Sequence, residues 1–297
     1  MQVTSTAPVA VITGAGTGFG RLAAEALARD GYRTYAALRD PAGRNAAVAR
    51  ELEAQGLRVV DLDVTDDASV DAAARTILEE AGAVDVLVNN AGAAYFGLTE
   101  AFTPDLVRRQ FEVNVFGVLR VNRAFLPAMR KRHSGLVVYV SSVIGRFVIP
   151  FAGVYLASKH AIEALAETSA YELRPFGVDV TIVEPSAFKT SIFDKQQYAD
   201  DSERAATYGA FADKPAELAE SMVARAGNPQ LVADAIVEIA RRPAGTRPLR
   251  RIVGDASSAG PINAAVAPIQ RAILEKFGMD ALAPAVPYED AALEPVG

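Results

Sequence analysis

Short apolar runs rich in β-branched residues alternate along this chain with longer stretches whose apolar residues recur every three or four positions. That is the signature of strands and amphipathic helices taken in turn. Val9 to Ile12 is the first run, and it leads directly into Thr13-Gly14-Ala15-Gly16-Thr17-Gly18-Phe19-Gly20. The helix that follows carries Leu22, Ala23, Ala26 and Leu27 on one face and stops at Asp30-Gly31. Arg33 to Arg39 reads as the second strand and Pro41 to Gln55 as an alanine-rich helix, with Asp40 as its N-cap and Pro41 at its first position. Arg58 to Val64 is the third strand, and Asp66 or Thr65 caps a helix bearing Val70, Ala74, Ile77 and Leu78. Asp85 to Val88 forms the fourth strand and ends in Asn89-Asn90-Ala91-Gly92.

A long helical region is predicted from Pro104 to Arg132, then a strand from Gly135 to Ser142 and a loop from Val143 to Gly153. The next helix holds Tyr155 and runs to Arg174, and the sixth strand, Val178 to Val183, reaches Glu184-Pro185-Ser186. Ala187 to Pro229 is irregular, a length that in a compact domain suggests a functional loop, and it is expected to be a mobile substrate lid. Leu231 to Arg242 reads as a helix, Leu249 to Val253 as a seventh strand and Ile262 to Phe277 as a last helix. Repeated strand and helix imply a doubly wound α/β parallel sheet whose ligands bind beyond the carboxyl ends of the strands. One domain over 9–277 is expected, with a flexible segment 1–8 and a loosely held tail 278–297 rich in alanine, proline and acid.

Composition narrows the function. The chain has 297 residues, no cysteine and a formal charge of −6. Disulfides, thiolate zinc sites and cysteine nucleophiles are thereby excluded, no metal is expected, and a cytoplasmic protein is the expectation. The negative charge gives no general attraction to nucleic acid or to an anionic membrane. No secretory signal and no apolar run of about 18 residues is evident. Arg130 to His133 ends a helical pattern, where cations favour the negative end of the helix dipole.

Two stretches carry chemistry. The glycine turn between strand and helix forms an anion site, because backbone N–H groups at a helix start meet a pyrophosphate there. Tyr155 and Lys159 lie four apart on a helix and project from one face. A phenol with an ordinary pKa of about 10 serves as a proton donor and acceptor at neutral pH only if its anion is stabilised, which a nearby ammonium can do in a partly enclosed cleft. The alternative for that pair is an exposed tyrosine and lysine on a helix surface.

Taken jointly, Thr13-Gly14-x-x-x-Gly18-x-Gly20, Asp63-Val64, Asn89-Asn90-Ala91-Gly92, Asn114, Ser142, Tyr155-x-x-x-Lys159, Pro185 and Thr190 resemble the short-chain dehydrogenase/reductase family, in its compact branch. The resemblance spans Val9 to Thr190. It implies a Rossmann-like sheet of about seven strands with helices on both faces. It also implies hydride transfer between a nicotinamide and a C=O or CH–OH group. By that resemblance Tyr155 is the acid/base, Lys159 lowers its pKa and holds the ribose hydroxyls, and Ser142 binds the reacting oxygen. Ser142 is chosen over Ser141 because it stands at the family's distance before the tyrosine. Asn114 would complete a water-linked proton relay; alternatively it satisfies a break in the helix backbone. Gly14, Gly16, Thr17, Gly18, Phe19, Gly20, Arg39, Asp63, Val64, Asn90, Ala91, Gly92, Pro185, Phe188 and Thr190 would contact the cofactor together with Tyr155 and Lys159. Family members are commonly homodimers or homotetramers built from the long helices.

The end of the second strand points to NADP(H) rather than NAD(H). The position that holds an acid in NAD enzymes is Leu38, and Arg39 beside it can face a 2′-phosphate, with Arg44 and Thr17 as further partners. Asp40 should turn its carboxylate toward backbone N–H groups. Pocket candidates are Tyr95 and Phe96, Val143 to Phe151, and Phe188, Ile192 and Phe193, mostly apolar, which suits a hydrophobic ketone, aldehyde or alcohol. Arg146 would bind an acidic substrate group or simply face solvent. Ser186 stands where the family often has glycine, which would stiffen the backbone near the nicotinamide. Neither His133 nor His160 is a catalytic candidate. A cofactor-binding sensor or scaffold without chemistry is the alternative function.

Overall fold

The computed structural model describes residues 7–190 and 197–290. In chain order its first elements are β1 (Val9–Thr13), α1 (Gly18–Arg29), β2 (Arg33–Leu38), α2 (Ala46–Ala54), β3 (Arg58–Asp61), α3 (Asp67–Ala81), β4 (Val86–Asn89) and β5 (Tyr95–Phe96). These are followed by α4 (Pro104–Phe111), a π-helical turn (Glu112–Phe116), α5 (Gly117–Arg132), β6 (Gly135–Val140), α6 (Gly153–Leu173) and β7 (Val178–Pro185). The last part comprises β8 (Gln197–Tyr198), α7 (Ser202–Ala206), α8 (Lys214–Ala224), α9 (Gln230–Arg241), β9 (Pro248–Val253), α10 (Ala259–Lys276) and β10 (Val286–Asp290).

Eight strands form one sheet in the order β10-β9-β7-β6-β4-β1-β2-β3, and every pairing in it is parallel. All five residues of β1 are buried, as a central strand covered on both faces requires. Ala10 and Ile12 meet α1, α2 and α9 on one side, whereas Val9 and Val11 meet α3, α5 and α6 on the other. Each fully buried valine or isoleucine contributes roughly 1.5–3 kcal/mol, so these two layers hold the sheet. The direction of strand addition reverses at β1, between β2 and β4, and this opens a crevice at their carboxyl ends. A buried polar chain helps seat the helices: Asn89 Nδ2 donates to Asn122 Oδ1 (2.8 Å), Asn122 Nδ2 to Tyr139 Oη (2.7 Å), and Tyr139 Oη to Ser169 Oγ (3.3 Å).

Four features differ from the sequence reading. Residues 286–290 are an eighth strand and not part of a loose tail, because Glu289 pairs with Arg242 and Arg251, partners about forty residues away that local composition does not reveal. The long helical region is broken by the π-turn at Glu112–Phe116. The second helix starts at Ala46, not Pro41. Asp40 has φ 53° and its carboxylate accepts from Arg44 N at 3.0 Å, closing a turn ahead of the helix instead of capping it. The stretch after Gln197 holds α7 and α8, and β8 pairs with β5. Ile192 and Phe193 lie outside the described residues.

Candidate active site

The strand ends around β1 are tied to one another before any ligand is considered. Thr13 Oγ1 donates to Val88 O (3.3 Å) and accepts from Asn90 N (3.0 Å) and Ala91 N (3.1 Å), while Asn90 Nδ2 donates to Thr13 O (2.9 Å). Gly14 and Gly18 take φ of 66° and 56°, values that favour glycine. A Cβ at Gly20 would stand 2.3 Å from Asn90 Nδ2 and 2.5 Å from Gly14 O, and one at Gly18 would touch Thr190. The turn therefore brings the start of α1 and the Asn90-Ala91-Gly92 backbone to one cleft of about 480 Å³.

Gly14, Gly16, Thr17, Gly18 and Phe19 line that cleft on one side, and Asn90, Ala91, Gly92 and Thr190 line it further along. Leu38, Arg39, Asp63, Val64 and Thr65 close one end, and Ser141, Tyr155 and Lys159 close the other. Asp63 Oδ1 is occupied by Thr65, accepting from its N (2.9 Å) and Oγ1 (2.7 Å). Arg39 is half exposed, with its guanidinium 3.8 Å from Asp63 Oδ2. The carboxylate of Asp40 is turned into its own turn, as its place before Pro41 suggested.

At the other end the π-turn places Asn114 inside the structure, as such bulges commonly do at functional sites. Its Oδ1 accepts from Ala93 N (2.8 Å) and its Nδ2 donates to Ala93 O (3.0 Å) and Ser158 Oγ (3.0 Å). Ser158 Oγ in turn donates to Tyr155 O at 2.7 Å. The side chain thus joins the backbone just after Asn89–Gly92 to the tyrosine helix. Ser158, inside the Tyr155–Lys159 motif, was not singled out from the sequence; a small hydroxyl residue on the buried face of a helix is the signal that would have found it.

Tyr155 is buried, its ring 6.1 Å from that of Phe96, and Lys159 Nζ lies 5.8 Å from the Tyr155 ring centroid. Lys159 Nζ donates to Val140 O at 2.9 Å. Burial raises the Tyr155 phenol above its ordinary value and lowers Lys159 to about 8, the latter opposed by the charge of Glu163. Desolvation is what raises the phenol, and the Lys159 ammonium is held by the Val140 carbonyl. Ser142 Oγ donates to Pro185 O (3.3 Å) and accepts from Ile144 N (3.4 Å). Ser141 Oγ instead lies in the interior beside Glu163, since a Cβ at Gly145 would meet both side chains.

Gly20, Asn114, Ser142, Pro185 and Phe188 are not among the residues lining the cleft; all but the half-buried Ser142 are buried. Phe188 is in the core, edge-on to Phe19 at 5.8 Å, so it props a lining residue. Ser186 Oγ accepts from Asp255 N at 3.1 Å and anchors the chain leaving β9. Next to Tyr155 an apolar cluster gathers Phe96, Val143, Ile144, Phe147, Ile149, Leu218, Met222 and Ile252. Tyr95 packs in a separate cluster with Phe102 and Leu106. Arg146 Nε donates to Asn263 Oδ1 at 2.8 Å. His160 Nδ1 bonds Leu156 O, and His133 stacks on Phe176, so neither approaches Tyr155.

A profile of the family described as short chain dehydrogenase matches residues 8–201, about two thirds of the chain. The chain belongs to this family. As a short-chain dehydrogenase it is 37% identical over 245 residues to an uncharacterized oxidoreductase, YusZ, of Bacillus subtilis, covering 79% of this chain and 85% of that one. It is also 37% identical over 249 residues to human 17-beta-hydroxysteroid dehydrogenase type 1, covering 80% and 75% respectively. A solved short-chain dehydrogenase from Streptomyces avermitilis superposes with a TM-score of 0.76 at 33% identity, over 94% of this chain and 98% of that one. The protein is accordingly an NAD(P)-dependent dehydrogenase/reductase acting on CH–OH and C=O groups. The glycine cradle fits such a dinucleotide: Gly14, Gly16 and Gly18 leave the backbone at the start of α1 bare along the cleft, and a Cβ at Gly14 would stand 2.9 Å from Ala91 Cα and push apart the two strand ends that form it. Among the described residues no helix is long and apolar enough to cross a membrane, and no acidic or histidine cluster suited to a metal is present.

Proposed function

We propose that this enzyme interconverts a hydrophobic ketone or aldehyde and its alcohol, with a preference for NADP(H). The observation that carries the reading is the burial of Tyr155 against an apolar wall at the closed end of the dinucleotide cleft. A nicotinamide bound there supplies or accepts the hydride. The chain's own residues handle the rest. Tyr155 gives its proton to the carbonyl oxygen in reduction and takes it back in oxidation. Ser142 turns from the Pro185 carbonyl to donate to that oxygen, a directed contact of a kind worth on the order of 3 kcal/mol. Lys159 stabilises the phenolate and holds the ribose hydroxyls, and Asn114 fixes the helix turn that presents Tyr155. Gly14 to Gly20, Asp63, Val64, Asn90 to Gly92, Pro185 and Thr190 hold the dinucleotide, with Phe188 supporting Phe19.

The preference for NADP(H) is supported by Leu38, which is buried and uncharged at the cleft, by Asp40 turned away, and by Arg39 half exposed at the adenosine end. The described parts of the segment 187–229, residues 187–190 and 197–229, act as a substrate lid. Leu218 and Met222 of α8 pack on the Tyr155 cluster, and Glu100 receives Tyr208 Oη (2.6 Å) and Arg204 Nη1 (2.9 Å) as a latch. Phe116 and Leu119, exposed at and just after the π-turn, fit a homodimer or homotetramer. The test is a panel of apolar and charged carbonyls and alcohols with NADPH and NADH. Turnover of apolar members with NADPH is expected. Tight dinucleotide binding with no turnover across the panel would return the scaffold reading.

A further inference from the structure

One turn beyond Lys159, α6 carries a second group that the reaction as described does not use. Glu163 is 2% exposed and reaches the guanidinium of Arg250, on β9, at 3.0 Å. The same guanidinium meets Glu184, at the end of β7, at 3.2 Å and Glu167 at 2.9 Å. Glu184 is fully buried and accepts from Asn263 Nδ2 at 2.7 Å. Asn263 also receives Arg146. Three carboxylates therefore share one well-buried cation, and two of them have almost no water to solvate a charge.

Such a group does not carry all its charges at once. Taking two carboxylates and one guanidinium out of water is costly unless the charges cancel, so burial biases the Glu163 and Glu184 pair toward sharing one proton. Burial raises both acids; Glu184 rises to about 8, pushed further by Glu163, while Arg250 opposes the rise in each. Where the remaining negative charge sits then matters to Lys159, whose own ammonium is buried and for which Glu163 is the anion that opposes its neutralisation. Glu163 is faced by Ser141 after β6, Glu184 on β7, Arg250 on β9, Arg146 after β6, and Lys159 and Glu167 on its own helix.

We propose that Glu163, with Arg250 and Glu184 behind it, is a positioning residue that sets the charge on Lys159. The inference rests on Lys159 being the partner of Tyr155 in catalysis. Glu163 acts on the ammonium by its charge from the next turn of α6, where residues four apart share a face, whereas Glu184 competes with Glu163 for Arg250 and for the negative charge the pair carries. The two acids thus act on Lys159 with opposite signs, which no merely structural role would produce.

The experiment is a pH titration of the Lys159 Cε resonance in full-length protein with carbon-13-labelled lysine, assigned with Lys159→Arg, alongside the pH profile of kcat/KM. Glu163→Gln, nearly isosteric, is expected to lower the Lys159 midpoint by about one pH unit, and Glu184→Gln to raise it. The double variant should follow Glu163→Gln. If Glu163→Gln fails to fold, the Glu184→Gln arm and Glu163→Asp, which keeps the charge and should keep a midpoint near wild type, carry the test. An unmoved midpoint in Glu184→Gln and Glu163→Gln, or shifts of the same sign, overturns the proposal. Midpoints that move in opposite directions while the kinetic limb stays fixed uphold the charge setting and overturn instead the catalytic reading of Lys159.

Discussion

The strand ends that form the cleft and the outer edge of the sheet both gather polar groups, but by opposite means. Around β1 and β4 the ties are neutral: Thr13, Asn90 and Asn114 bond to backbone N–H and carbonyl groups, mostly within 2.8 to 3.3 Å. At β9 and β10 the ties are ionic. Arg251 pairs with Glu238 at 2.9 Å and with Glu289, Arg242 joins the same carboxylate at 2.6 Å, and Arg250 serves three acids. Neutral bonds to backbone fix geometry with little dependence on pH or salt. Ion pairs join elements distant in sequence, and their strength follows protonation and screening. The cleft is built for position and the edge for closure, and each can be broken separately.

The largest effect is expected in the cleft. Tyr155→Phe keeps the ring and removes the proton, so kcat should fall by about 10² to 10⁴ with dinucleotide affinity retained, as measured by steady-state kinetics beside a binding titration. Retention of half the wild-type rate would refute the acid/base role. Asn114→Ala strips Ala93 N and O and Ser158 Oγ of a shared partner. It should cost about 1 to 3 kcal/mol, seen in urea unfolding, and the loss should change little between low and high salt.

Arg39→Ala is expected to reduce the preference for NADPH over NADH by about tenfold in kcat/KM, and Leu38→Asp to reduce it further. An unchanged preference in both would remove the NADP(H) assignment. The smallest effect belongs to the edge. Glu289→Gln should cost about 1 kcal/mol or less, and unlike the Asn114 change its cost should shrink as salt rises. Within the ionic network itself, the partly exposed and the buried acid differ in pH sign. Hydrogen bonds from Arg242 hold Glu289 below the ordinary glutamate range, so its contribution is present above that range and is lost as pH falls through it. Burial holds Glu184 up at about 8. The folded chain then keeps a proton that the unfolded chain gives up, and stability falls as pH rises from about 4.5 towards 8. Thermal melts of wild type and Glu184→Gln across that window check the sign, and the variant should lose the decline.

What sequence alone determined is the part encoded within short spans. The alternation of strands and helices, the parallel sheet, the glycine turn and the Tyr155/Lys159 face all depend on residues a few positions apart, where backbone preference and helical spacing act directly. Asp40 shows the limit of that logic: its carboxylate turned to backbone N–H groups as its neighbours dictate, yet the helix began at Ala46 because the turn it closes uses the intervening residues. Tertiary structure decided the rest. Asn114 lies on a π-turn whose side-chain partners are Ala93 and Ser158, twenty-one and forty-four positions away. Residues 286–290 became a strand because Arg242 and Arg251 wait on neighbouring elements, and Glu163 met Arg250 and Glu184 only once α6, β7 and β9 packed together. Contacts of that span leave no local periodicity, since nothing short of the folded sheet brings their charges out of water and into reach of one another.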